Sequence, residues 1–363
     1  MGFSKGWSIA RVTRRHSYVS IAGACVVGLT LAASSIGRAP DRATERTPGN
    51  AGPRSYAAKY QRSTVVPFPE DNKYTAAREA LGKSLFFDPR LSGSNGISCS
   101  SCHNPGLAWG DGRPRAIGAG RTPLGRRTPT ILNIAWSESM FWDGRAGSLE
   151  EQALGPIQAI GEMNLNLDRM VVKIAAIPGY RELFARGYPD EPIAKSTVAK
   201  AIATFERQIV SGPAPFDRWA AGDDAAISPE AVRGFELFNT KGRCSICHTG
   251  WRFTDDGFHD IGVPGVDPGR GAILPGVEAM QHAFKTPTLR SVAGRAPYMH
   301  DGSVAGLEDV VELYDRGGLA RRPSLSPELT RLHLTSDEKQ ALVVFLRTLT
   351  SVDGPVAIPV LPR

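Results

Sequence analysis

The sequence predicts a mainly α-helical fold made of two related modules. Several stretches place apolar residues at the three-to-four-residue spacing of a helix, and no stretch sustains the alternation of a half-buried strand. A set of short motifs also occurs twice in the same order, which indicates an internal repeat. A chain of 363 residues, 41% hydrophobic and 22% charged, is long enough for two cores of ordinary composition.

Residues 1–39 have the pattern of a secretory signal peptide. A basic segment over residues 1–16 precedes apolar and small residues from Tyr18 to Ala33 and a small-residue exit. An uncleaved membrane anchor is the alternative, although this apolar stretch is short for a bilayer span. Most of the net charge of +7 falls in this segment, so the remainder does not indicate nucleic-acid or membrane-surface binding. We expect an exported protein with no stable membrane span after cleavage.

A lead-in and a first run of helical patterns follow. Residues 40–72 are rich in Pro, Gly, Arg and Thr without periodicity, which predicts a flexible lead-in. A first module is expected over residues 73–212. Its predicted helices are one from Thr75 to Phe87, one with a capping box at Ser148, one over Met170–Ile177 capped by Asp168, and one that begins at Ser196.

The second module is delimited by turn-forming residues. Pro and Gly residues near its start predict a linker over residues 213–227. Ser228 and Pro229 fit the cap and first position of a helix that opens the second module, over residues 228–352. A capping box from Thr335 to Glu338 opens its last helix, and residues 353–363 form a tail.

Each module contains one C-x-x-C-H sequence. The two copies are Cys99-Ser100-Ser101-Cys102-His103 and Cys244-Ser245-Ile246-Cys247-His248. The pattern is typical of c-type haem attachment, because residues three and four apart on a helical turn share one face. Two thiols can then form thioethers to one porphyrin while the histidine coordinates the iron.

Paired cysteines have two other uses that stay open on sequence alone. Both pairs could bind one structural zinc ion, or the cysteines of an exported protein could form disulfides. The two motifs account for every cysteine except Cys25, which lies in the predicted signal peptide. Two complete copies favour two covalently bound haem c groups. The predicted fold is therefore two cytochrome c-like haem domains related by internal duplication.

The duplication extends beyond the haem motifs. Thr128-Pro129-Thr130 precedes Trp142-Asp143-Gly144 by the interval that also separates Thr286-Pro287-Thr288 from His300-Asp301-Gly302. Because the intervals match, the modules can be aligned residue by residue through this region. Differences between aligned positions then indicate that the two modules have different roles.

One aligned pair predicts different iron environments. The register sets Pro156 opposite Tyr314. A tyrosine phenolate can bind iron, whereas proline offers no ligand atom, so we expect Tyr314 to cap the second haem and the first haem to stay open. A core tyrosine with its hydroxyl bonded elsewhere is the alternative for Tyr314. Met299 and Met280 are competing ligands.

The chain resembles the bacterial dihaem cytochrome c peroxidase and MauG family over residues 73–350. The matching segments are both C-x-x-C-H motifs, Phe141-Trp142-Asp143-Gly144-Arg145, Gly155-Pro156-Ile157, Glu162-Met163-Asn164 and Pro297-Tyr298-Met299-His300-Asp301-Gly302. The resemblance implies that Trp142 lies between the haems and relays electrons. It also implies that Gln152 and Glu162 line the distal pocket of the first haem, with Glu162 as the acid–base residue. The position of Tyr314 is a methionine ligand in typical peroxidases and a tyrosine ligand in the MauG branch.

Peroxide reduction requires groups of this kind. Ferric iron binds hydrogen peroxide, a base removes its proton, and the same group returns the proton to the outer oxygen so that water leaves. A carboxylate with a raised pKa in an apolar pocket suits both steps, and Gln152 can orient the peroxide. A solvated loop carboxylate is the alternative for Glu162. A buried core position for Trp142 is compatible with a relay.

Two positions depart from the family pattern. Typical members carry a histidine after the first haem motif that blocks its iron until the second haem is reduced, but residues 116–120 contain none. The first haem is therefore expected to be open without reductive activation. The resemblance also implies a calcium ion between the modules, held by an Asn side chain and backbone carbonyls. Arg127 stands at that Asn position, which argues against calcium, although the carbonyls of Arg295 and Pro297 remain available.

These features predict a periplasmic dihaem peroxidase. It reduces hydrogen peroxide with electrons from a small donor protein, a c-type cytochrome or a cupredoxin. A MauG-like oxidase that modifies residues of a partner protein is the first alternative, favoured by Tyr314 and by the missing loop histidine. A non-enzymatic dihaem electron carrier is the second, and Gln152, Glu162 and an open first iron argue against it.

Overall fold

The computed structural model describes residues 52–363 and is mainly α-helical, as the sequence predicts. The predicted signal peptide, with Cys25, lies outside the described residues. The helices are α1 (Pro53–Ala57), α2 (Ala76–Phe87), α3 (Cys99–Cys102), α4 (Leu149–Gln158), α5 (Leu167–Ala175), α6 (Pro178–Gly187), α7 (Lys195–Arg207), α8 (Pro215–Ala220), α9 (Pro229–Asn239), α10 (Leu307–Asp315) and α11 (Ser336–Arg347).

Short elements connect these helices. In residues 52–363, two-residue strands β1 (Phe258–His259) and β2 (Phe284–Lys285) pair antiparallel. The 3₁₀ turns are Ala58–Tyr60, Glu70–Asn72, Pro89–Leu91, Pro105–Leu107, Ala119–Arg121, Ile134–Trp136, Asp224–Ala226, Cys244–Ile246, Arg270–Ala272, Glu278–Met280 and Val292–Gly294. No helix in the described part of the chain is both long and apolar enough to cross a bilayer.

The first core is the buried cluster around α2 and α7. Thr75 caps α2 by accepting a hydrogen bond from the Arg78 N–H at 3.1 Å. The two helices approach closely because a Cβ at Gly82 would collide with the carbonyl oxygen of Ala201. Trp109 packs edge-on against Phe86 and Phe205, at ring-centroid distances of 6.0 and 6.2 Å. This aromatic group anchors the segment that follows the first C-x-x-C-H motif.

The second core is the buried cluster around α9 and α11. Ser228 caps α9, as predicted, by accepting from the Ala231 N–H at 3.1 Å. Gly234 lies against the carbonyl oxygen of Ala341, which repeats the close approach seen in the first core. Phe253 packs against the rings of α9 and α11 at 5.9 and 6.2 Å, from Phe238 and Phe345. The segment after the second C-x-x-C-H motif is anchored in this way.

Two predicted helix starts are wrong. Helix α5 begins at Leu167 and is capped by Asn166, whose side-chain oxygen accepts from the Asp168 and Arg169 N–H groups at 2.9 and 3.1 Å. Asp168 is therefore inside the first turn. Helix α7 begins at Lys195, before Ser196, and the Thr197 hydroxyl accepts from the Ala194 N–H at 2.9 Å. Neighbouring polar side chains can bond the same N–H groups at the start of a helix. The local sequence does not determine which of them forms the cap.

The segments predicted as lead-in, linker and tail pack against the cores. Tyr60 is buried in the second core, and its hydroxyl donates to Asn239 at 2.9 Å. Helix α8 lies within the predicted linker and buries Phe216 and Trp219 in the same core. The Arg363 carbonyl accepts from the Gly179 N–H at 2.8 Å. The aromatic residues of the lead-in and the linker explain why these two segments pack where Pro and Gly content predicts flexibility, and Val356 of the tail packs against the first core.

Candidate haem-binding site

A single cavity of about 750 Å³ connects the two C-x-x-C-H motifs. Its lining includes Cys102 and His103 at one end and Cys244, Cys247 and His248 at the other. The sequence places these motifs far apart, and the fold brings both onto one continuous space. A cavity of this size and mostly apolar lining is typical of cofactor sites.

Both motif histidines are held in the same way. The Nδ1–H of His103 donates to the Trp109 carbonyl at 3.2 Å, and that of His248 donates to the Phe253 carbonyl at 2.9 Å. Burial lowers the pKa of each ring, so both are neutral near pH 7. The second ring nitrogen is then an unprotonated donor atom, as an iron ligand must be.

The four described cysteines are free thiols. Cys99, Cys102, Cys244 and Cys247 form no disulfide. In residues 52–363, the one grouping of three metal-ligating side chains is Cys247, Asp255 and His259, so the two cysteine pairs do not share a zinc site. The predicted alternatives of a disulfide and a joint zinc site are therefore wrong. The thiols and histidines that face the cavity fit two haem groups.

Trp142 is buried. Its indole N–H donates to the Arg127 carbonyl at 2.8 Å. Its backbone carbonyl accepts from the Lys285 N–H, also at 2.8 Å. Trp142 is thus bonded through its ring to the segment that follows the first haem motif, and through its backbone to the segment that follows the second. It also lines the cavity, together with both motif histidines.

The backbone hydrogen bond between Lys285 and Trp142 has a counterpart between Arg127 and His300. The Arg127 N–H donates to the His300 carbonyl at 2.8 Å, just as the Lys285 N–H donates to the Trp142 carbonyl. Arg127 and Lys285 each precede a Thr-Pro-Thr motif, and Trp142 and His300 each precede Asp-Gly. The two bonds are therefore reciprocal. His300 itself stacks on Phe284 at a centroid distance of 3.6 Å.

Gln152 and Glu162 both face the cavity near the first haem motif. Gln152 is on α4, and Glu162 lies in the turn after it, where its N–H donates to the Ala159 carbonyl at 3.0 Å. Burial raises the pKa of Glu162, and the charge of Arg145 partly opposes this rise. Burial raises the pKa of Cys102 to about 11, and the charges of Asp111 and Glu162 add to the rise.

The aligned residues Pro156 and Tyr314 both line the cavity. Tyr314 lies on α10, whose residues Leu307, Val310 and Val311 also face the cavity. Burial and the neighbouring Cys244 and Cys247 raise the pKa of Tyr314. The hydroxyl forms no hydrogen bond among the described residues, unlike the bonded hydroxyl of an ordinary core tyrosine. Of the two competing ligands, Met299 lines the cavity and Met280 does not.

Several cavity residues were missed by sequence reasoning. Arg145 ends the segment over residues 141–145 that matches the family. Its guanidinium carbon lies 3.5 Å from the centroid of the Phe141 ring, and the guanidinium bonds the Asp143 carboxylate at 3.0 Å. Lys285 is buried, donates to the Ser139 carbonyl at 2.6 Å, and its pKa is lowered by burial to about 8. The aligned position of Lys285 and Arg127 before Thr-Pro-Thr could have identified it.

Known proteins resemble this chain over most of its length. The profile of the di-haem cytochrome c peroxidase family matches residues 76–225. The methylamine utilization protein MauG of Methylorubrum extorquens is 51% identical over 308 residues, which cover 84% of this chain and 87% of that protein. The cytochrome c551 peroxidase of Pseudomonas aeruginosa is 34% identical over 293 residues, covering 78% of this chain and 81% of that protein.

Solved structures agree with these relatives. The crystal structure of a MauG-like protein associated with microbial copper homeostasis matches with a TM-score of 0.73 and 31% identity, over 80% of this chain and 95% of that one. The family uses two haem cofactors, which the cavity fits, and its members act on peroxide as oxidoreductases. This chain belongs to the di-haem cytochrome c peroxidase family.

Proposed function

We propose that the chain reduces hydrogen peroxide at a first haem and draws the electrons from a small donor protein through a second haem. One observation carries the proposal: a single cavity joins the two C-x-x-C-H motifs. Glu162, Gln152, Trp142 and Tyr314 all line this cavity, which supports a role for each of them. Hydrogen peroxide takes up two electrons and two protons and leaves as two water molecules.

Each haem is held by one motif in this proposal. Cys99 and Cys102 form thioethers to the first haem, and Cys244 and Cys247 form them to the second. His103 and His248 supply the iron ligands, and the Nδ1 hydrogen bonds to the Trp109 and Phe253 carbonyls orient both rings. Free thiols at all four positions support covalent attachment.

We assign the two haems to modules related by internal duplication, over residues 73–212 and 228–352. Three matched features support the assignment. Gly82 and Gly234 permit equivalent helix crossings, the two motif histidines have equivalent carbonyl partners, and the backbone bonds of Arg127 and Lys285 are reciprocal. In this division residues 213–227 connect the modules, residues 40–72 precede them and residues 353–363 follow them.

Glu162 is the proton carrier of the proposed reaction. When bound, the first haem supplies an iron that takes peroxide and cleaves its O–O bond. The carboxylate of Glu162 accepts the proton of the inner peroxide oxygen and returns it to the outer oxygen, so that water leaves. The raised pKa of this carboxyl suits both directions of transfer. Gln152, on the preceding helix, orients the peroxide by a hydrogen bond.

The two irons differ in what faces them across the porphyrin. Tyr314 offers a phenol oxygen and lacks a hydrogen-bond partner in the described residues, so we assign it as the second iron's other ligand. Pro156, at the aligned position, offers no ligand atom. The first haem would therefore have no second protein ligand, which would leave its iron accessible to peroxide, and Trp142 would relay electrons to it from the second haem.

The electron donor is a small periplasmic redox protein, a c-type cytochrome or a cupredoxin. An exported location follows from the signal-like residues 1–39 and from the periplasmic setting of c-type haem attachment in bacteria. Tyr314 also supports a second candidate function, a MauG-like oxidase that modifies residues of a partner protein. A phenolate ligand stabilises oxidised iron, which would give slow electron transfer from a protein substrate to the haems time to occur.

The proposal is tested first by the haem content of the protein and then by its reaction with peroxide and a reduced cytochrome. We expect two haems per chain from the pyridine haemochrome spectrum, and peroxide-dependent oxidation of a reduced c-type cytochrome. The oxidase is favoured instead if peroxide leaves a long-lived oxidised protein that a reduced cytochrome barely restores. If peroxide causes no spectral change in either the ferric or the reduced protein, the chain is an electron carrier and both enzymatic proposals fail.

A further inference from the structure

Two buried arginines line the cavity without a carboxylate partner. Arg127 and Arg295 are 8% and 7% exposed, and both face the cavity between the haem motifs. Neither forms an ion pair with any carboxylate in residues 52–363. Buried guanidinium groups are normally paired, because an isolated charge inside a protein loses its hydration without compensation.

The hydrogen bonds of Arg127 and Arg295 leave some of their N–H donors without an acceptor. The Arg127 guanidinium donates to the Arg295 carbonyl, and the Arg295 guanidinium donates to the Thr288 carbonyl. The Nε atoms of both side chains are buried and have no partner among the described residues. Carbonyl oxygens accept hydrogen bonds but carry no full negative charge, so neither guanidinium is bonded to an anionic group among the described residues.

Other arginines that are buried or partly buried in this chain show the usual arrangement. Arg126, next in sequence, binds Asp143 at 2.6 Å and Asp267 at 2.7 Å. Arg290 binds Asp217 at 2.8 Å. By contrast, burial lowers the pKa of Arg127, and burial together with the charge of Arg127 lowers the pKa of Arg295 to about 9. The pair therefore has buried donors, and no carboxylate among the described residues is bonded to them.

The position of the pair indicates which anions would bind these donors. Arg127 holds the Trp142 indole through its carbonyl at 2.8 Å, and both arginines line the same cavity as the two motif histidines. Haem carries two propionate carboxylates at its edge, and these are the anionic groups that the proposed cofactors bring into the cavity. We propose that Arg127 and Arg295 form a guanidinium pair that binds haem propionates and fixes positive charge between the two haems. This inference rests on the proposed haem occupancy.

The pair also answers the calcium question raised by the family resemblance. The residues at that position do not fit a calcium ion. The Arg127 guanidinium already donates to the Arg295 carbonyl, which is one of the oxygens that calcium would need. The positive charges of the two guanidinium groups would moreover repel a divalent cation bound beside them. The positive charge between the modules is therefore supplied by side chains.

The test measures the reduction potentials of both haems in the intact holoprotein. Arg127→Gln and Arg295→Gln should each lower at least one potential, because a nearby positive charge favours the reduced iron. Arg127→Lys keeps the charge and should keep the potentials. Arg207→Gln is the matched control, since Arg207 is a buried arginine paired with Glu150 at 2.7 Å and lies outside the cavity lining. It should lower the melting temperature without lowering a potential.

Two further measurements do not depend on the glutamine variants. The propionate bending band in the resonance Raman spectrum of the native protein should report hydrogen bonding and should shift in Arg127→Lys. A chelator should leave the native melting temperature and potentials unchanged. A chelator-induced loss restored by calcium would overturn the inference, as would unchanged potentials in folded glutamine variants or an unchanged band. Fewer than two haems per chain would instead contradict the proposed function.

Discussion

The two ends of the cavity hold their motif histidines in the same way but differ in the side chains proposed to lie opposite those histidines. At each end a buried histidine donates through Nδ1 to the carbonyl of an aromatic residue that is anchored in a helical core, Trp109 in the first and Phe253 in the second. The aligned residues Pro156 and Tyr314 both line the cavity, but only Tyr314 offers an atom that can bind iron. In our proposal Pro156 and Glu162 face the first haem, and Tyr314 faces the second.

In our proposal this difference means that haem attachment and reactivity are set by separate parts of the chain. The attachment face depends on the core packing that both ends share. The opposite face would depend on one residue of α4 or α10, so a single substitution there should change whether an iron is open. In our proposal the first end performs chemistry and the second passes electrons.

The largest expected effect tests the chemistry of the first end. Glu162→Gln removes the proton carrier and should slow the reaction with peroxide by about 10²–10⁴-fold, the usual contribution of general acid–base catalysis. Stopped-flow absorbance with excess peroxide measures the rate. Glu182→Gln, a change at an exposed glutamate of α6, should leave it unchanged. A Glu162→Gln rate within twofold of the native rate would remove Glu162 from the mechanism.

The pH dependence sharpens the same assignment. The proton acceptor must be ionised, and burial raises the pKa of Glu162 above its ordinary value. The native rate should therefore rise with pH through this raised pKa, in a range above the ordinary glutamate value of about 4.3. Glu162→Gln should lose that rise. An identical pH profile in both proteins would assign the titration to another group.

The second end should respond to a change of ligand. Tyr314→Met exchanges a phenolate for a thioether and should raise the potential of the second haem by a sizeable part of the roughly 0.8 V that axial ligands span. Spectroelectrochemistry measures both potentials, and that of the first haem should move far less. Tyr314→Phe should open the second iron and make it high-spin. Unchanged spectra in both variants would show that Tyr314 is not a ligand, with Met299 the next candidate.

The connection between the two ends depends on Trp142. Trp142→Phe removes the indole and its 2.8 Å bond to the Arg127 carbonyl, and should slow oxidation of the second haem after peroxide by about tenfold or more. The initial reaction at the first haem should proceed normally. Trp219→Phe, at a buried tryptophan of the second core, controls for lost packing. Equal slowing in both variants would argue against a specific relay.

The smallest expected effect tests how alike the two cores are. Gly82→Ala and Gly234→Ala each place a methyl group against a backbone carbonyl, of Ala201 and Ala341, and should each cost about 1–3 kcal/mol of unfolding free energy. Thermal melts of the holoprotein measure this. Gly276→Ala adds a Cβ where nothing lies within 4 Å and should be neutral. A large loss in one core only would show that the crossings are not equivalent.

Much of this arrangement is predictable from sequence. Helical class, the capped starts of α2, α9 and α11 and the two motif histidines follow from local patterns, and the structure agrees. The interval that aligns Pro156 with Tyr314 is also a sequence property, and both residues do face the cavity. These predictions succeed because caps and spacing act over a few residues.

Other features depend on contacts between distant segments. No local pattern shows that Arg127 and Arg295 are buried side by side without carboxylates, because that depends on where Asp143, Asp267 and Asp217 point. The packing of α1 and α8 on the second core likewise depends on Tyr60, Phe216 and Trp219 finding space there. Burial and charge compensation are properties of the folded chain and are not carried by a local motif.

The most direct test of the account is the low-temperature EPR spectrum of the ferric protein before and after one equivalent of peroxide. The account predicts one high-spin iron, open at Pro156, and one low-spin iron held by His248 and Tyr314. Peroxide should then abolish the high-spin signal without prior reduction. Two low-spin irons that peroxide leaves unchanged until one is reduced would contradict the central claim that the first end of the cavity is open.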